Sequence, residues 1–497
     1  MKQKRSKLAI LWFLTILVLA LLTLSGIGFT ESKVTAFRVL FDFNLDPKGM
    51  SLTDNIYTRY IREKTGVQIK FESPGTAAYD NKLNIMMASG DYPDAFMTNY
   101  RETILQYATD GMLTDLTPYI RNTRKYPNFK NMPVDAWKPV TNKGKIWAYP
   151  YNRQDAFNQV VYVKKEWMKR LGLKTPKTIE DFYQVLKAFR EQDPDGNGKK
   201  DTYGLLVENK LTYGGRIFQS AFNAASYKII GGKVTPPEIT PQYKEYLKFM
   251  HRLVKEGIID QEFPLISAPI YREKLKTGRY GMTSNFWHGN QLPEYTARKV
   301  DQVWEALPLP VMKNGKPSHF VYDRVNRHYI GIPKNIKNVD ALMRMFNWIL
   351  SPEGTRFTYL GVENKEYRLN NQKIEVLKAP HPLLQYSFPL IKSGRMTQLV
   401  KQCMSINNTD DAMARLDLST KIGRLDKILA VLAYFPDLAN YNLKNISSEY
   451  TTKAILGVVD IDATWNDYVN KWRSSGGDKA IKFWTDWYNH GGKKLCK

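Results

Sequence analysis

The alternation of apolar and polar positions is most informative between residues 145 and 171, where one pattern stops and another begins. An apolar-aromatic run ends at Pro150, polar residues follow at Asn152–Asp155, and a β-branched run resumes at Val160–Val163. A strand that ends on a proline cannot continue its hydrogen-bond ladder there. The chain is therefore predicted to leave one sheet at this point and to enter another, which indicates two α/β lobes joined by a crossing.

Before this crossing the chain alternates between the periodicities of strands and helices. Phe37–Phe43 and Val67–Phe71 alternate like strands, and Asp94–Thr98 is a third short strand. Helical spacing predicts one helix that is capped by Ser51 and a second helix over Tyr79–Ala88. Strands that alternate with helices favour a mostly parallel sheet with helices on both faces.

After the crossing, helical and strand-like segments alternate again. Thr178 is predicted to cap a helix, Tyr243–Val254 has helical spacing and stops at Gly257, and Gly278–Trp287 is strand-like. Gly315–Pro333 is turn-rich and then strand-like, so it is predicted to make the return crossing. The predicted division is a leader or membrane anchor at 1–30, an N-terminal lobe from 35–151 plus 325–368, and a C-terminal lobe from 152–324 plus 369–497.

The first thirty residues have the pattern of an export leader. Four basic side chains lie within residues 2–7, and Leu8–Phe29 carries no charge. An uncharged run of about 22 residues is long enough to span a membrane, and the basic flank favours an outward-facing body. Gly26 and Gly28 are also compatible with cleavage after Gly28. The residues before Ile27 resemble the start of a bacterial lipobox, but Ile27 replaces the lipid-bearing cysteine, which excludes a diacylglyceryl anchor.

The balance of charge is strongly basic, with 73 Lys and Arg against 48 Asp and Glu and a net charge of +25. These basic residues are scattered along every segment, and no nucleic-acid-binding module is present, so a nucleic-acid partner is not expected. A basic surface suits an anionic cell envelope, and an anionic ligand is the alternative explanation.

The few cysteines and histidines limit the chemistry. Cys403 and Cys496 are the two cysteines, which excludes a disulfide scaffold and leaves open whether they pair with each other. None of the six histidines lies in an HExxH or His-x-Glu pattern, so the sequence gives little support to a catalytic transition-metal site.

The segment Asp193–Asp201 has the spacing of a calcium-binding loop. Oxygen side chains fall at positions 1, 3, 5 and 9, a glycine at position 6 and a backbone carbonyl at position 7, namely Asp193, Asp195, Asn197, Asp201, Gly198 and Lys199. This spacing wraps a hard cation in oxygens. Position 12 is Gly204 rather than Glu, so water or another ligand must complete the shell. A structural Ca²⁺ is predicted, and a solvated Asp/Gly turn is the alternative.

Polar and aromatic residues follow several predicted strands, at the ends that face the ligand crevice of an open α/β sheet. The candidates are Asn44 and Asp46 after the first strand, Asn99 and Arg101 after the third, Tyr151, Asn152 and Arg153 at the crossing, and Asn285 and Trp287 at the end of a later strand. Aromatic residues form 13% of the chain, and an indole face suits a sugar ring. Because tryptophans are mostly buried, a core role for Trp287 is the alternative.

Four motifs occur in order along the chain. Residues 88–96 read ASGDYPDAF, 111–117 read GMLTDLT, 143–150 read KGKIWAYP and 278–287 read GRYGMTSNFW. Together they resemble the extracellular solute-binding proteins of bacterial ABC importers, in the sugar-binding family that includes maltose-binding protein. The fuller layout resembles the larger oligosaccharide-binding lipoproteins, some of which bind acidic sugars and carry a similar calcium loop.

The resemblance implies a two-lobed periplasmic-binding-protein-like α/β fold of type II with crossover hinges. It also implies a monomeric, non-catalytic receptor outside the cell, which closes on an oligosaccharide and delivers it to the transmembrane subunits of an ABC permease. From the basic composition we expect an acidic rather than a neutral sugar, with Arg101 or Arg153 pairing with its carboxylate. An exported glycoside hydrolase or polysaccharide lyase is one alternative, and a surface adhesion or sensor module is another.

Overall fold

A computed structural model of the chain describes residues 34–41, 49–151, 159–295, 297, 299–322, 326, 328–381, 384 and 397–496. Its strands are β1 (Thr35–Leu40), β2 (Val67–Glu72), β3 (Ala95–Thr98), β4 (Thr141–Asn142), β5 (Lys145–Ile146), β6 (Ala148–Tyr151), β7 (Gln159–Lys164), β8 (Tyr203–Leu205), β9 (Lys228–Ile230), β10 (Lys233–Thr235), β11 (Tyr280–Phe286), β12 (Trp304–Leu307), β13 (Phe320–Tyr322), β14 (His328–Gly331), β15 (Tyr367–Asn370), β16 (Lys373–Val376) and β17 (Gly423–Leu425).

The α-helices pack on both sheets and continue through the second half of the chain. They are α1 (Ile56–Thr65), α2 (Thr76–Ser89), α3 (Arg101–Thr109), α4 (Thr117–Ile120), α5 (Val134–Trp137), α6 (Lys165–Arg170), α7 (Ile179–Glu191), α8 (Gly215–Ala221), α9 (Pro241–Lys255), α10 (Ala268–Lys276), α11 (Val300–Val303), α12 (Val339–Ile349), α13 (Pro352–Leu360), α14 (Gln398–Asn407), α15 (Asp410–Ile422), α16 (Leu443–Leu456), α17 (Ile461–Trp472), α18 (Asp478–Trp487) and α19 (Lys493–Leu495). Among the described residues, no helix is both long and apolar enough to cross a membrane.

Two larger sheets define two lobes. The sheet of the N-lobe has the order β2-β1-β3-β14-β6, in which β1 is parallel to β2 and β3, and β14 is antiparallel to both of its neighbours. The sheet of the C-lobe has the order β12-β7-β11-β8; only β11 and β8 are parallel. Strand β14 comes from the return crossing, so the N-lobe is built from both sides of the C-lobe sequence. The predicted two-lobed α/β fold is confirmed, but the prediction of mostly parallel sheets is wrong, because three of the seven strand pairs in the two sheets are parallel and four are antiparallel.

Each lobe has its own apolar core. The N-lobe core gathers the alternate residues of β1 and β2, such as Phe37, Val39 and Ile69, against the helices α1, α2 and α12. The C-lobe core surrounds Val160–Val163 of β7, which is buried on both faces of its sheet. This continuous burial explains the unbroken β-branched run in the sequence, because a strand covered on both faces does not alternate.

The start of α1 differs from the prediction. The helix begins at Ile56 and is capped by Asn55, whose side chain accepts from the amides of Tyr57 and Thr58 in a capping box with the Thr58 hydroxyl. Ser51 instead accepts from the amides of Thr53 and Asp54 in a turn before the helix. Ser51 is therefore not the cap, because Asn55 offers the reciprocal pair of bonds that Ser51 lacks.

The chain leaves the N-lobe through a hairpin and a helix that touches both lobes. The predicted boundary after residue 368 falls inside the β15–β16 hairpin, whose strands pair from Tyr367 to Val376. Farther along, Cys403 of α14 is fully buried against Leu360 of α13 in the N-lobe, while Met404 packs beside α15. Helix α14 thus forms part of the junction between the lobes.

Candidate functional site

Several of the predicted ligand residues lie at one end of the strands of the N-lobe sheet. Strand β3 ends at Thr98, β14 begins at His328, and the two strands are paired so that Tyr329 lies opposite Thr98. On the other side of β14, His328 lies opposite Tyr151, the last residue of β6, and their rings stack 5.3 Å apart at an angle of 6°. The register therefore brings Tyr151 and the residues after Thr98 to the same end of the sheet's strands.

The matching edge of the C-lobe sheet lies at the other end of the first crossing. Strand β7 begins at Gln159, which pairs with Phe286 at the end of β11. Asn285 and Trp287 flank Phe286 in the sequence. Only seven residues, 152–158, join Tyr151 to Gln159, so the two strand ends that carry candidate residues are separated by one short stretch of chain.

The residues after β3 differ in exposure. Asn99 is half-buried and Tyr100 is 53% exposed, whereas Arg101 is only 8% exposed. The guanidinium of Arg101 donates to the backbone carbonyls of Ala430 and Leu432, which belong to the C-lobe. In this structure Arg101 links the lobes, and its pairing with a ligand carboxylate remains a prediction.

Trp287 is 2% exposed and packs against Met404 of α14 and Leu416 of α15. Its carbonyl accepts from Arg415 Nε at 2.7 Å and from the Tyr162 hydroxyl at 2.8 Å. The side chain is therefore enclosed by helices that the sequence places more than a hundred residues later. Stacking of a sugar on Trp287 remains a prediction and requires these helices to move away from the indole.

Asn285 is fully buried, and its Oδ1 accepts from the amide of Phe286 at 2.8 Å. Four further candidates lie outside the described residues, namely Asn44, Asp46, Asn152 and Arg153. The structure therefore does not test their contacts with a ligand, which remain predictions. The described residues at the junction are therefore Asn99, Arg101, Tyr151, Asn285 and Trp287.

Three residues at or beside these edges were missed by sequence reasoning. His328 stacks on Tyr151, and the hydroxyl of Tyr213 accepts from Gln291 Nε2 at 2.7 Å. The ring of Tyr213 contacts Phe286 edge-on at 6.1 Å, which places the pair beside the end of β11. Tyr213 follows strand β8, so the strand-end rule applied to β8 would have found it. His328 carried no such signal, because its place beside Tyr151 depends on long-range strand pairing.

A surface groove of about 660 Å³ lies on the C-lobe between the β9–β10 hairpin and the start of α9. Its lining includes Tyr227, Lys228, Gln242 and Ile428. None of the predicted ligand residues lines this groove, so it is separate from the two strand edges.

The loop from Asp193 to Asp201 follows α7 and precedes β8. Asp193 accepts from the amides of Asn197 and Gly198 at 3.1 and 2.8 Å, and Asn197 Oδ1 accepts from the amide of Lys199 at 2.8 Å. The Asn197 amide group also donates to Asp195 at 3.0 Å and to Asp201 at 3.2 Å. The loop is thus folded around its own oxygen atoms, and the amide of Asn197 lies between two carboxylates.

The carboxylates of the loop influence one another. The amide of Gly198 holds the pKa of Asp193 below its usual value. Burial, followed by the proximity of Asp193 and Asp201, raises the pKa of Asp195. Asp195 Oδ1 is buried without a hydrogen-bond partner, an arrangement that is costly for an anion unless a cation balances it. In the described part of the chain, no three acidic, histidine or cysteine side chains are arranged as a metal-binding group.

Position 12 of the loop cannot supply a ligand side chain. A Cβ on Gly204 would lie 2.5 Å from the carbonyl oxygen of Leu186 and 2.7 Å from a methyl group of Ile258. Thr202, the nearest alternative, is fully buried and donates to the carbonyl of Phe189 at 2.7 Å. The twelfth-position Glu of the calcium pattern is therefore excluded by packing.

Comparison with known proteins decides the family. The sequence profile of the family described as bacterial extracellular solute-binding protein matches residues 45–356. The chain belongs to this family. It is 25% identical to lipoprotein LipO of Bacillus subtilis over 441 residues, which cover 85% of this chain and 86% of LipO. It is also 30% identical to the polygalacturonan/rhamnogalacturonan-binding protein YtcQ of Bacillus subtilis over 226 residues, or 45% of each chain.

Solved structures of other solute-binding proteins share the fold. The alginate-binding protein AlgQ2 without calcium ion superposes with a TM-score of 0.66 and 19% identity, over 92% of this chain and 99% of AlgQ2. FusA of S. pneumoniae in complex with kestose gives a TM-score of 0.66 and 18% identity over 92% of this chain and 99% of FusA. Membership of the solute-binding family confirms the resemblance inferred from the four motifs, and members of this family are substrate-binding proteins rather than enzymes.

Proposed function

We propose that this solute-binding protein is the extracellular receptor of a carbohydrate ABC importer and that it binds an oligosaccharide between its lobes. The observation that carries the proposal is the short connection of seven residues between two strand ends, with Tyr151 at one end and Asn285 and Trp287 beside the other. Ligands of open α/β sheets bind at such strand ends. A sugar that contacts both strand ends would favour the closed arrangement of the lobes.

The relatives support a sugar ligand, and their names include both an acidic and a neutral sugar. YtcQ is named for acidic polygalacturonan and rhamnogalacturonan, and FusA of Streptococcus pneumoniae for neutral fructooligosaccharide. We favour an acidic oligosaccharide because the net charge of this chain is +25, and a cationic protein raises the local concentration of anionic ligands. Arg153 is the preferred partner of the carboxylate, since Arg101 already binds carbonyl groups of the other lobe.

We infer that the loop Asp193–Asp201 binds one structural Ca²⁺. The buried, unpartnered Oδ1 atom of half-buried Asp195 fits this group, because a cation would supply the partner that the atom lacks. The residues that would hold the ion are Asp193, Asp195, Asn197, the Lys199 carbonyl and Asp201. The ion would neutralise the converging carboxylates and tie the end of α7 to β8. The similar structures include AlgQ2 without calcium ion and an EF-hand mutant of FusA.

Export places the receptor at the outer face of the cell membrane. The uncharged run Leu8–Phe29 supports retention as an uncleaved anchor, and LipO, which this chain matches over 86% of its length, is a lipoprotein. The partners would be the transmembrane subunits of an ABC permease, and the receptor would act as a monomer.

The decisive experiment is titration calorimetry of the purified protein against matched neutral and acidic oligosaccharides. Tight binding of one series without turnover supports a receptor. An acidic ligand should lose affinity as salt is raised, whereas a neutral one should not. Hydrolysis or elimination products after prolonged incubation would instead identify an enzyme, and the absence of binding to every oligosaccharide would contradict the sugar ligand.

A further inference from the structure

The end of the N-lobe sheet opposite the junction is formed by three segments of the chain. Strand β14 runs away from the junction and continues into Lys334, whose amide donates to the carbonyl of Met112. The β4–β5 hairpin precedes β6 and therefore lies at the same end, with Leu116 N donating to the carbonyl of Ile146. We term this end of the sheet, which includes Met112, Leu116, the β4–β5 hairpin and Lys334, the basic pole.

Seven exposed basic side chains lie at the basic pole. They are Arg121, Arg124, Lys125, Lys143, Lys145, Lys334 and Lys337. Of the carboxylates at this pole, Asp115 pairs with Lys145 at 3.5 Å and Asp340 pairs with Lys125 and Arg344, while exposed Asp110 accepts from Gln106 Nε2. Within the described part of the chain, Arg124, Lys143, Lys334 and Lys337 form no ion pair. The pole therefore carries a net positive charge that is not balanced internally.

The chain enters the fold at this same pole. Strand β1 begins at Thr35, whose amide donates to the carbonyl of Gly66 and whose hydroxyl accepts from Asn338 Nδ2 at 3.0 Å. Asn338 directly follows Lys337. Only residues 30–34 separate Thr35 from the uncharged run that ends at Phe29, and five extended residues span at most roughly 18 Å.

We propose that the basic pole is a docking surface for the anionic phospholipid headgroups of the membrane in which the N-terminal run is anchored. The proposal rests on retention of Leu8–Phe29. The short connection keeps the pole near the bilayer, where Lys and Arg each gain roughly fivefold in partition toward an anionic surface. The attraction falls off within a Debye length of about 8–10 Å at physiological salt, so it acts on the side chains that the short connection holds close to the bilayer.

The test uses the full chain reconstituted in nanodiscs of phosphatidylcholine alone or with added phosphatidylglycerol. Acetylation of lysines is followed by mass spectrometry at low and high salt, and the N-terminal peptide is detected in the same digest. Docking predicts about threefold slower acetylation of Lys143, Lys334 and Lys337 in the anionic discs, and no difference at the exposed C-lobe residues Lys444 and Lys471. High salt should remove the protection, because the attraction is between surface charges.

A charge-reversal pair provides the matched control. Lys334→Glu with Lys337→Glu should abolish the protection of Lys143, whereas Lys444→Glu with Lys471→Glu should leave it unchanged. Equal acetylation in both kinds of disc, with the N-terminal peptide intact, would overturn the docking surface and leave the anchor and the sugar site standing. Loss of the N-terminal peptide from the protein would overturn anchoring and docking together, but not the sugar site.

Discussion

The guanidinium of Arg101 on the N-lobe donates to the carbonyl of Ala430 on the C-lobe at 3.1 Å. The hydroxyl of Tyr434 crosses the same interface and donates to Gln106 Oε1 at 2.5 Å. The segment that carries these groups is fixed to the C-lobe core by the buried Leu432. The lobes are therefore held in this arrangement by direct polar contacts as well as by the connecting chain.

Replacement of Arg101 should loosen this contact. Arg101→Ala removes hydrogen bonds from a charged donor, each worth about 1.5–3 kcal/mol, so the ligand-free protein should show a larger radius of gyration in small-angle scattering. Wild-type protein should become more compact on saturation with sugar. The exposed Arg59→Ala variant is the control and should scatter like wild type. An unchanged radius for Arg101→Ala would show that the contact does not set the lobe arrangement.

Trp287→Ala separates sugar stacking from core packing. Loss of a stacking face should cost about 2 kcal/mol, or roughly 30-fold in Kd, measured by calorimetry. Loss of buried volume should also lower stability by about 3–5 kcal/mol. Trp304→Ala is the matched control, since Trp304 is 3% exposed on β12 and should lower stability while leaving Kd unchanged. Wild-type Kd for folded Trp287→Ala would assign the indole to the core alone.

Removal of calcium should destabilise the protein. A ligand that binds only the folded state stabilises it by about 2.7 kcal/mol at a hundredfold excess over Kd. Chelator should therefore lower the Tm of wild type, and Asp195→Ala should have a low Tm that chelator does not change. Glu191→Gln, just before the loop, should retain the sensitivity. An unchanged Tm on chelation, together with no calcium by elemental analysis, would leave the loop as a simple turn.

Asp260 should make the C-lobe acid-sensitive. Burial alone would raise the pKa of Asp260, but Lys274 at 2.7 Å, the amide of Glu262 and the Tyr280 hydroxyl hold the pKa below its usual value. A depressed pKa contributes stability above the unfolded value of about 3.9, which is lost as the pH falls through the folded pKa. Asp260→Asn should lower the free energy of unfolding by about 2 kcal/mol at neutral pH.

The free energy of unfolding of Asp260→Asn should differ little from that of wild type at a pH below the pKa of the folded Asp260 carboxyl, where both side chains are neutral. Urea unfolding across the pH range measures this difference. The exposed Asp486→Asn variant, which breaks the surface pair with Lys482, is the control. A gap between wild type and Asp260→Asn that stays constant down to acid pH would contradict an ionic role for Asp260.

Local sequence patterns predict the structure well where the interaction that they describe is also local. Thr178 caps α7 through a capping box with Asp181, as its sequence predicts, and the oxygens of the Asp193–Asp201 loop fold around one another. The error at Ser51 arose because Asn55 satisfies the same rule four residues later. A capping box needs both partners, and only Asn55 has its partner at Thr58.

The candidate site was harder to predict because its surroundings come from distant parts of the chain. The end of β11 predicts that Trp287 lies beside the junction, whereas α14 and α15 cover the indole in the structure. Strand ends reveal where a side chain lies along a sheet, whereas helices more than a hundred residues away decide its exposure. The contact between Arg101 and Ala430 likewise joins segments that no sequence pattern connects.

The position of β14 between β3 and β6 dictates an order of events during synthesis. Strand β6 completes the edge of the N-lobe sheet, yet it has no partner until β14 is made about 180 residues later. The C-lobe strands β7, β8, β11 and β12 all emerge in between. The C-lobe sheet can therefore form on the exported chain while the N-lobe is still incomplete, so a mutation that delays β14 should prolong exposure of unfolded N-lobe to extracellular proteases.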